Sequence, residues 1–418
     1  MDRTIYIIII SIIVFNYLLE QFLEYLNKTY WSNKLPPDLE GIYSAEKYKK
    51  SQDYYKANKK LSFISGTLSF VLILLMLHFK GFAIVDNYIR QFTVNPILLA
   101  LLFFGIFGLV SNILSTPFSI YDTFVIEEKY GFNKVTPKLF VLDKLKSLLL
   151  GAVIGGVLLS VVVLIYEFTG NWFWFITWMV ITAFTIFMTM FYSTLIVPIF
   201  NKQTPLEEGE LRDAIEAFSK KVGFKLSDIY VIDGSKRSKK ANAYFSGLGS
   251  KKRIVLYDTL IKENTVEELV AVLAHEIGHY KLKHTRTGII IGIIQTGLML
   301  FILSLFIQKG SAISLALAKA LGSDIPSFHL GILAFGLLYT PLSLILGLAL
   351  NIVSRKNEYQ ADKFAGENYN SEALQTALKK LSVNNLSNLN PHPVYVFFYY
   401  SHPTLLQRLN ALKKIKNN

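Results

Sequence analysis

Residues 271–284 read AVLAHEIGHYKLKH. Three of the chain's seven histidines fall in these fourteen positions, and Glu276 follows the first of them. On a helix, His275 and His279 lie four residues apart and stack on one face, where both imidazoles can ligate one zinc ion. Glu276 projects beside them, placed to hold and deprotonate a water on that metal. H-E-x-x-H is short, and its plain alternative is a polar helix face, so the surrounding chain has to decide.

The flanks supply an apolar side. Leu269, Val272 and Leu273 make this a helix that packs against something, and Thr265 with Glu268 forms a capping-box pattern that opens it. His284 follows His275 by nine residues, half a turn round a continuous helix, and is expected to face solvent as a surface histidine. A metzincin would need glycine at position 282 and histidine at 285. The chain has Leu282 and Thr285, so that class is excluded.

A catalytic zinc site needs a third protein ligand and an open position. The stretch SRKNEYQADKFA, residues 354–365, offers Glu358 and Asp362 at helical i, i+4 spacing. Glu358 can be the third ligand. Asp362 can accept the second ring N–H of a ligating histidine and fix its tautomer. By itself this segment would read as a solvated helix with ion pairs of the Arg355–Glu358 kind; beside H-E-x-x-H it reads as the second half of a metal site.

The chain around the motif is that of a membrane protein. Of its 418 residues 52% are hydrophobic and only 17% charged, where a soluble chain carries about 25% charged residues. Seven stretches are long and apolar enough to cross a bilayer: 4–23, 62–79, 96–115, 147–167, 172–199, 286–308 and 329–353. The first has only Arg3 as a basic flank and no small-residue cleavage site, so it is expected to be a retained helix, not a signal peptide. The absence of cysteine excludes disulfides, Cys–zinc sites and a cysteine nucleophile. The net charge of +13 fits lysine-rich cytoplasmic loops beside anionic lipid, with no nucleic-acid partner expected.

Lysine distribution sets the expected topology. The loops 24–61 and 116–146, the loop 200–285 and the tail from Arg355 are lysine-rich, whereas the loops near 80–95 and 309–328 carry two basic residues each. The N-terminus is therefore expected outside and the C-terminus inside, which puts both polar regions on the cytoplasmic side. The expected organisation is 1–199 as five membrane helices with cytoplasmic loops, 200–285 as the protease region, 286–353 as two further membrane helices, and 354–418 as the C-terminal part of the protease domain. Within 200–285, LEEGELRDAIEAFSKKVG reads as an amphipathic helix. SDIYVIDG and KRIVLYDTL read as short strands, and NAYFSGLGSKK as a strand entering a Gly-rich turn. The fold class is an α-helical integral membrane protein of seven membrane helices with a zincin-like domain containing a small β-sheet. Pro341 is expected to kink the last membrane helix, and His78 and His329, at span ends, to be interfacial or packing residues.

Over nearly its whole length the chain resembles the CAAX prenyl proteases of the Ste24 type, zinc metallopeptidases of family M48. The blocks LPPDLEGIYSAEKYKKSQDYYK, STPFSIYDTFVIEEKYGFNK, NAYFSGL, RIVLYDTL, LAHEIGHYKLKH, SRKNEYQADKFA and YSHPTLLQRLNAL follow that family's order. The resemblance implies one zinc per chain and adds roles at matching positions. Asn242 matches an asparagine that binds substrate backbone, His402 one that stabilises the oxyanion, and Arg408 an arginine near the zinc-ligating glutamate, grouped here with Asn242 as substrate-binding. His392 has no matching role and reads as a loop residue. Where the family often reads H-S-N-A-Y-F, this chain has Lys240-Ala241-Asn242.

The expected function is that of an integral-membrane zinc endopeptidase cutting near the C-terminus of membrane-associated peptides or proteins, with or without a prenyl group. The expected location is a bacterial inner membrane, or the endoplasmic reticulum in a eukaryote. Two alternatives are a quality-control protease resembling HtpX, and a seven-span transporter or scaffold with a structural zinc. Glu276 discriminates against the last, because a structural site has no use for a carboxylate beside an open ligand position.

Overall fold

The computed structural model describes residues 1–32, 37, 40–225, 228–247 and 253–415. The Gly-rich turn expected after NAYFS therefore lies outside the described residues, as does Lys34 of the first lysine-rich loop.

Among the described residues six continuous helical runs are long and apolar enough to cross a membrane, against seven expected spans. The difference lies in Pro137–Phe200. This 64-residue run would be about 96 Å long if straight, three times a hydrocarbon core of roughly 30 Å. It is divided at a short 3-10 turn, Gly170–Trp172, where Gly170 takes φ +53. A β-carbon is disfavoured in that backbone conformation, so glycine permits the reversal. The helices Pro137–Thr169 and Phe173–Leu195 on either side carry the fourth and fifth spans. The other five spans fall on Asp2–Thr29, Ala45–His78, Pro96–Tyr121, His284–Ile307 and Phe328–Ala365.

Two short helices occupy the loops with few basic residues, Gly81–Arg90 and Ala312–Ala320. Both segments are expected from the sequence to be loops. They bury Phe82, Ile89, Leu317 and Leu321 against Ile9 and Leu330 and so cap one end of the membrane bundle. His329, expected as an interfacial or packing residue, lies in this cap: its Nε2 is 2.7 Å from Asp86 Oδ1, both side chains are buried, and Arg90 pairs with the other carboxylate oxygen at 3.0 Å. Burying the Asp86 charge is tolerated because both oxygens are partnered.

The polar region holds a four-stranded sheet in the order β1-β2-β4-β3, with β1 Gln203–Pro205, β2 Asp228–Ile232, β3 Ala243–Ser246 and β4 Arg253–Tyr257. β2 and β4 run parallel, and β1 and β3 add antiparallel at the edges. The helix Glu210–Lys221 matches the amphipathic stretch, with acids in its first turn and lysines in its last. One hydrophobic core joins the two polar regions: Ile215, Ile254, Leu256, Leu269, Leu273 and Ile277 pack with Leu374, Leu409 and Leu412 from the tail. Arg237 ties this unit to the fourth span helix through a two-pronged pair with Asp143 at 2.8 and 2.9 Å.

Candidate active site

The motif helix, Val266–Lys281, is fixed at its start by the capping box. Thr265 N–H donates to Glu268 Oε2 at 2.9 Å, and Glu268 N–H donates back to Thr265 Oγ1 at 3.3 Å. Lys380 then neutralises the buried Glu268 at 2.7 Å. Its apolar side, which includes Leu269, Leu273 and Ile277, is fully buried, leaving His275, Glu276 and His279 on the other face. The last span helix passes this face. It continues unbroken through Pro341 and past the membrane residues to Ala365, which carries Glu358 and Asp362 to the motif. Gly278 permits the approach: a β-carbon there would meet Phe364 Cδ1 at 3.1 Å and Ala361 Cα at 3.3 Å.

The result is a compact ligand set. His275, His279 and Glu358 offer ligand atoms that all lie within 4.8 Å of one another. His275 Nε2 and His279 Nε2 are 3.1 Å apart, and His279 Nε2 is 3.2 Å from Glu358 Oε1. The opposite ring nitrogens are occupied. His275 Nδ1 is 2.9 Å from Asp362 Oδ1. Ionised Asp362 can only accept, so this nitrogen carries a hydrogen and Nε2 is the ring position left to ligate a metal. His279 Nδ1 is 3.1 Å from His284 Nδ1, and His284 Nε2 is 2.9 Å from Gln360 Oε1.

His284 is thus not the solvent-facing residue expected from a continuous helix. The motif helix stops at Lys281, Lys283 adopts a left-handed conformation (φ 62), and a new helix starts at His284. The turn folds His284 back over His279. A lysine at positive φ has no sequence signature, so helical arithmetic could not find this contact.

Arg408, on the helix Leu405–Leu412, closes the back of the cluster. Its Nε and Nη2 reach Asp362 at 2.8 and 2.6 Å, and its Nη1 lies 3.4 Å from Glu358 Oε2. Burial disfavours the Arg408 charge, but Asp362, Glu358 and Glu276 outweigh it and raise its pKa further. Burial likewise opposes ionisation of Asp362, and His275 with Arg408 holds its carboxyl below the ordinary range. The arginine's donors are engaged inside the protein, which supports a role in holding the carboxylates in place of the substrate contact grouped with Asn242 above.

His402 stands at the open side, with Nε2 3.3 Å from Glu358 Oε1, Nδ1 2.9 Å from Ser401 Oγ, and a side chain 61% exposed. Asn242 is exposed and immediately precedes β3, an edge strand. Its Oδ1 accepts from Ala243 N–H at 2.9 Å, and its carbonyl from Tyr257 N–H at 3.1 Å. Arg355 pairs with no carboxylate among the described residues; it donates to the Tyr400 carbonyl at 2.6 Å and thereby fixes the segment before His402.

Lys240, where the family pattern often has histidine, is held in a polar clamp made by residues distant in the chain. Its ammonium donates to Tyr54 Oη at 2.8 Å, lies 2.9 Å from Glu127 Oε2, and sits over the Phe132 ring at 4.7 Å. Tyr54 in turn donates to Glu127. Burial disfavours the lysine's charge, but the bonds to Tyr54 and Glu127 prevail and raise its pKa. The segment leading to Asn242 is thereby tied to the helix after the first loop and to the end of the third membrane helix.

Comparison with known proteins places this geometry. Residues 25–202 match the CAAX prenyl protease N-terminal model of five membrane helices, and residues 205–416 match peptidase family M48. The chain belongs to that family. It is a multi-pass membrane metalloendopeptidase that acts on peptide or protein substrates, and the non-enzymatic alternative falls away. It is 36% identical to CAAX prenyl protease 1 of Saccharomyces cerevisiae across 91% of this chain and 88% of that one. It is 32% identical to the human CAAX prenyl protease 1 homolog across 96% and 94%. The crystal structure of S. mikatae Ste24p superposes with a TM-score of 0.89 at 34% identity, covering 98% of each chain.

Proposed function

We propose that His275, His279 and Glu358 hold one zinc ion and that the chain cleaves peptide bonds near the C-terminus of membrane-associated proteins, prenylated C-a-a-X tails among them. One observation carries the metal assignment. Glu358 is buried with Oε1 3.2 Å from His279 Nε2 and Oε2 held 3.4 Å from the Arg408 guanidinium, beside two imidazoles whose opposite ring nitrogens are already engaged. Two ring nitrogens and a carboxylate oxygen therefore converge on one point, where a cation would find its ligands already gathered. Two imidazoles and one carboxylate are the ligand set that suits catalytic zinc.

When bound, zinc supplies Lewis acidity that polarises the scissile carbonyl and lowers the pKa of water. The chain's residues supply the rest. Glu276 takes a proton from the attacking water and delivers it to the departing amine. His402 meets the carbonyl oxygen as it gains negative charge. The exposed edge of β3 accepts the substrate as an added strand, with Asn242 bonding its main chain beside the cut. Asp362 and Arg408 hold His275 and Glu358 in place. This arrangement lies on the cytoplasmic side, as the lysine asymmetry predicts.

Metal analysis of the purified protein beside a cleavage assay on matched prenylated and unprenylated peptides tests the reading. One zinc per chain and a preference for the prenylated peptide are expected. Stoichiometric zinc surviving in a His275→Ala, His279→Ala double variant would sink the ligand assignment. Equal cleavage of unrelated unprenylated proteins would favour the quality-control alternative.

A further inference from the structure

Away from the histidine cluster, a cavity of about 540 Å³ opens where the ends of the fourth and fifth membrane helices meet β1. Its wall carries Lys146, Lys202, Lys236 and Arg253, with Gln203 and Tyr230, and among the described residues no carboxylate. Four cations around one cavity repel one another; two nearby acids are committed elsewhere, and a third, Asp228, is the register neighbour of Arg253 without forming an ion pair with it. Asp143 is taken by Arg237 at 2.8 and 2.9 Å. Asp233 accepts from the Asn201 side chain at 2.8 Å and the Lys202 backbone N–H at 2.9 Å. Among the described residues none of the four cations has a carboxylate within 4.0 Å.

The cations are nonetheless positioned. The Lys146 ammonium donates to the Ile199 carbonyl at 2.8 Å, which anchors it without neutralising it. The Arg253 guanidinium stacks on the Tyr230 ring at 4.6 Å, which fixes its plane and leaves its N–H edge open. A planar arginine fork with lysine point charges beside it is the donor set that phosphate oxygens fit.

Depth identifies the source of the anion. Lys146 directly precedes the apolar stretch 147–167, and Thr194 and Pro198 of the cavity wall end the stretch 172–199. The cavity therefore lies where hydrocarbon gives way to headgroups. Below it the fifth span exposes Phe187, Tyr192, Leu195 and Ile199, an apolar flank for acyl chains.

We propose that this cavity binds the phosphate of an anionic phospholipid, with its acyl chains against the fifth span. Lys202 precedes β1, Lys236 follows β2 and Arg253 opens β4, so one headgroup joins three strands to the membrane surface. The site lies at the β1 edge, opposite the β3 edge, and does not depend on how substrate is held.

The test uses the full-length protein in phosphatidylcholine bilayers with and without phosphatidylglycerol, with native mass spectrometry of retained lipid and thermal unfolding as readouts. Parent protein retains phosphatidylglycerol and unfolds at higher temperature with it. A Lys202→Gln, Lys236→Gln, Arg253→Gln variant retains it on the order of a hundredfold more weakly. A Lys220→Gln, Lys262→Gln, Lys413→Gln variant, with the same charge change elsewhere, behaves as the parent. Equal loss in both triple variants would reduce the effect to bulk charge and overturn the site. An equal thermal shift from inorganic phosphate at matched phosphorus would make the ligand free phosphate and overturn the lipid. If the triple variant does not fold, Lys236→Gln alone must still weaken retention; an unchanged value would overturn the proposal.

Discussion

Gly278 of the motif helix lies against the backbone of Ala361, so close that an added β-carbon would be 3.3 Å from the Ala361 Cα. Phe364 Cδ1 and Cβ would be closer still, at 3.1 and 3.2 Å, and the Ala361 neighbour is main chain, so a larger residue crowds the last span helix as well as the Phe364 ring. Ala361 lies between Glu358 and Asp362 on the displaced helix. The distance from His279 to Glu358 is therefore set in part by a glycine that has no side chain in the site.

Gly278→Val is expected to leave the protein folded and helical while weakening metal retention. It should lower turnover on the order of a hundredfold, the usual consequence of a misplacement near 1 Å. Metal stoichiometry after dialysis against a chelator checks this; full retention with full activity would show that the helices tolerate the separation.

Arg408→Met removes the partner of two buried carboxylates. Breaking a buried pair from one side costs roughly 3–5 kcal/mol, and loss of support behind a ligand lowers metal affinity by about 10–100-fold. Thermal unfolding and metal titration should move together. A variant with normal affinity that fails only in substrate binding would restore Arg408 to the substrate-contact role.

Glu276→Gln should keep metal and fold but lose cleavage, by on the order of a thousandfold or more, because an amide cannot accept the water's proton. Substantial turnover by the metal-loaded variant would assign the base elsewhere.

Asn242→Ala and His402→Ala separate binding from charge stabilisation. The first should raise KM and lower kcat. The second should lower kcat on the order of a hundredfold with little change in KM. Loss of metal from His402→Ala would instead make it a ligand, a result its 3.3 Å approach to Glu358 makes worth checking.

Lys240→His tests the clamp through pH. The native lysine has its pKa raised, so its positive charge and the clamp persist across the neutral range. An imidazole with an ordinary pKa of about 6.5 is charged below that value and neutral above it. The variant should therefore bind substrate normally near pH 6 and show a rising KM toward pH 8, while the parent stays flat. Parallel profiles would mean that the Lys240 charge does not position Asn242.

The sequence by itself determined whatever depends on local periodicity. Seven apolar stretches define the membrane helices, because a bilayer demands a fixed apolar length. The i, i+4 pairs His275–His279 and Glu358–Asp362 were legible because helical spacing places such side chains together. Tertiary structure decided what lies between these pieces. His284 returns to His279 only because the chain reverses at Lys283. Arg408 reaches Asp362 across 46 residues, and Lys240 reaches Glu127 across 113. The β1 edge strand is three residues long and ends in proline, too short for an alternating pattern, and exists because β2 offers it a ladder. Spacing along a chain reports which side chains share a face of one element. Which faces meet depends on packing, and here Gly278 allows the motif helix and the last span helix to meet closely enough to make a site.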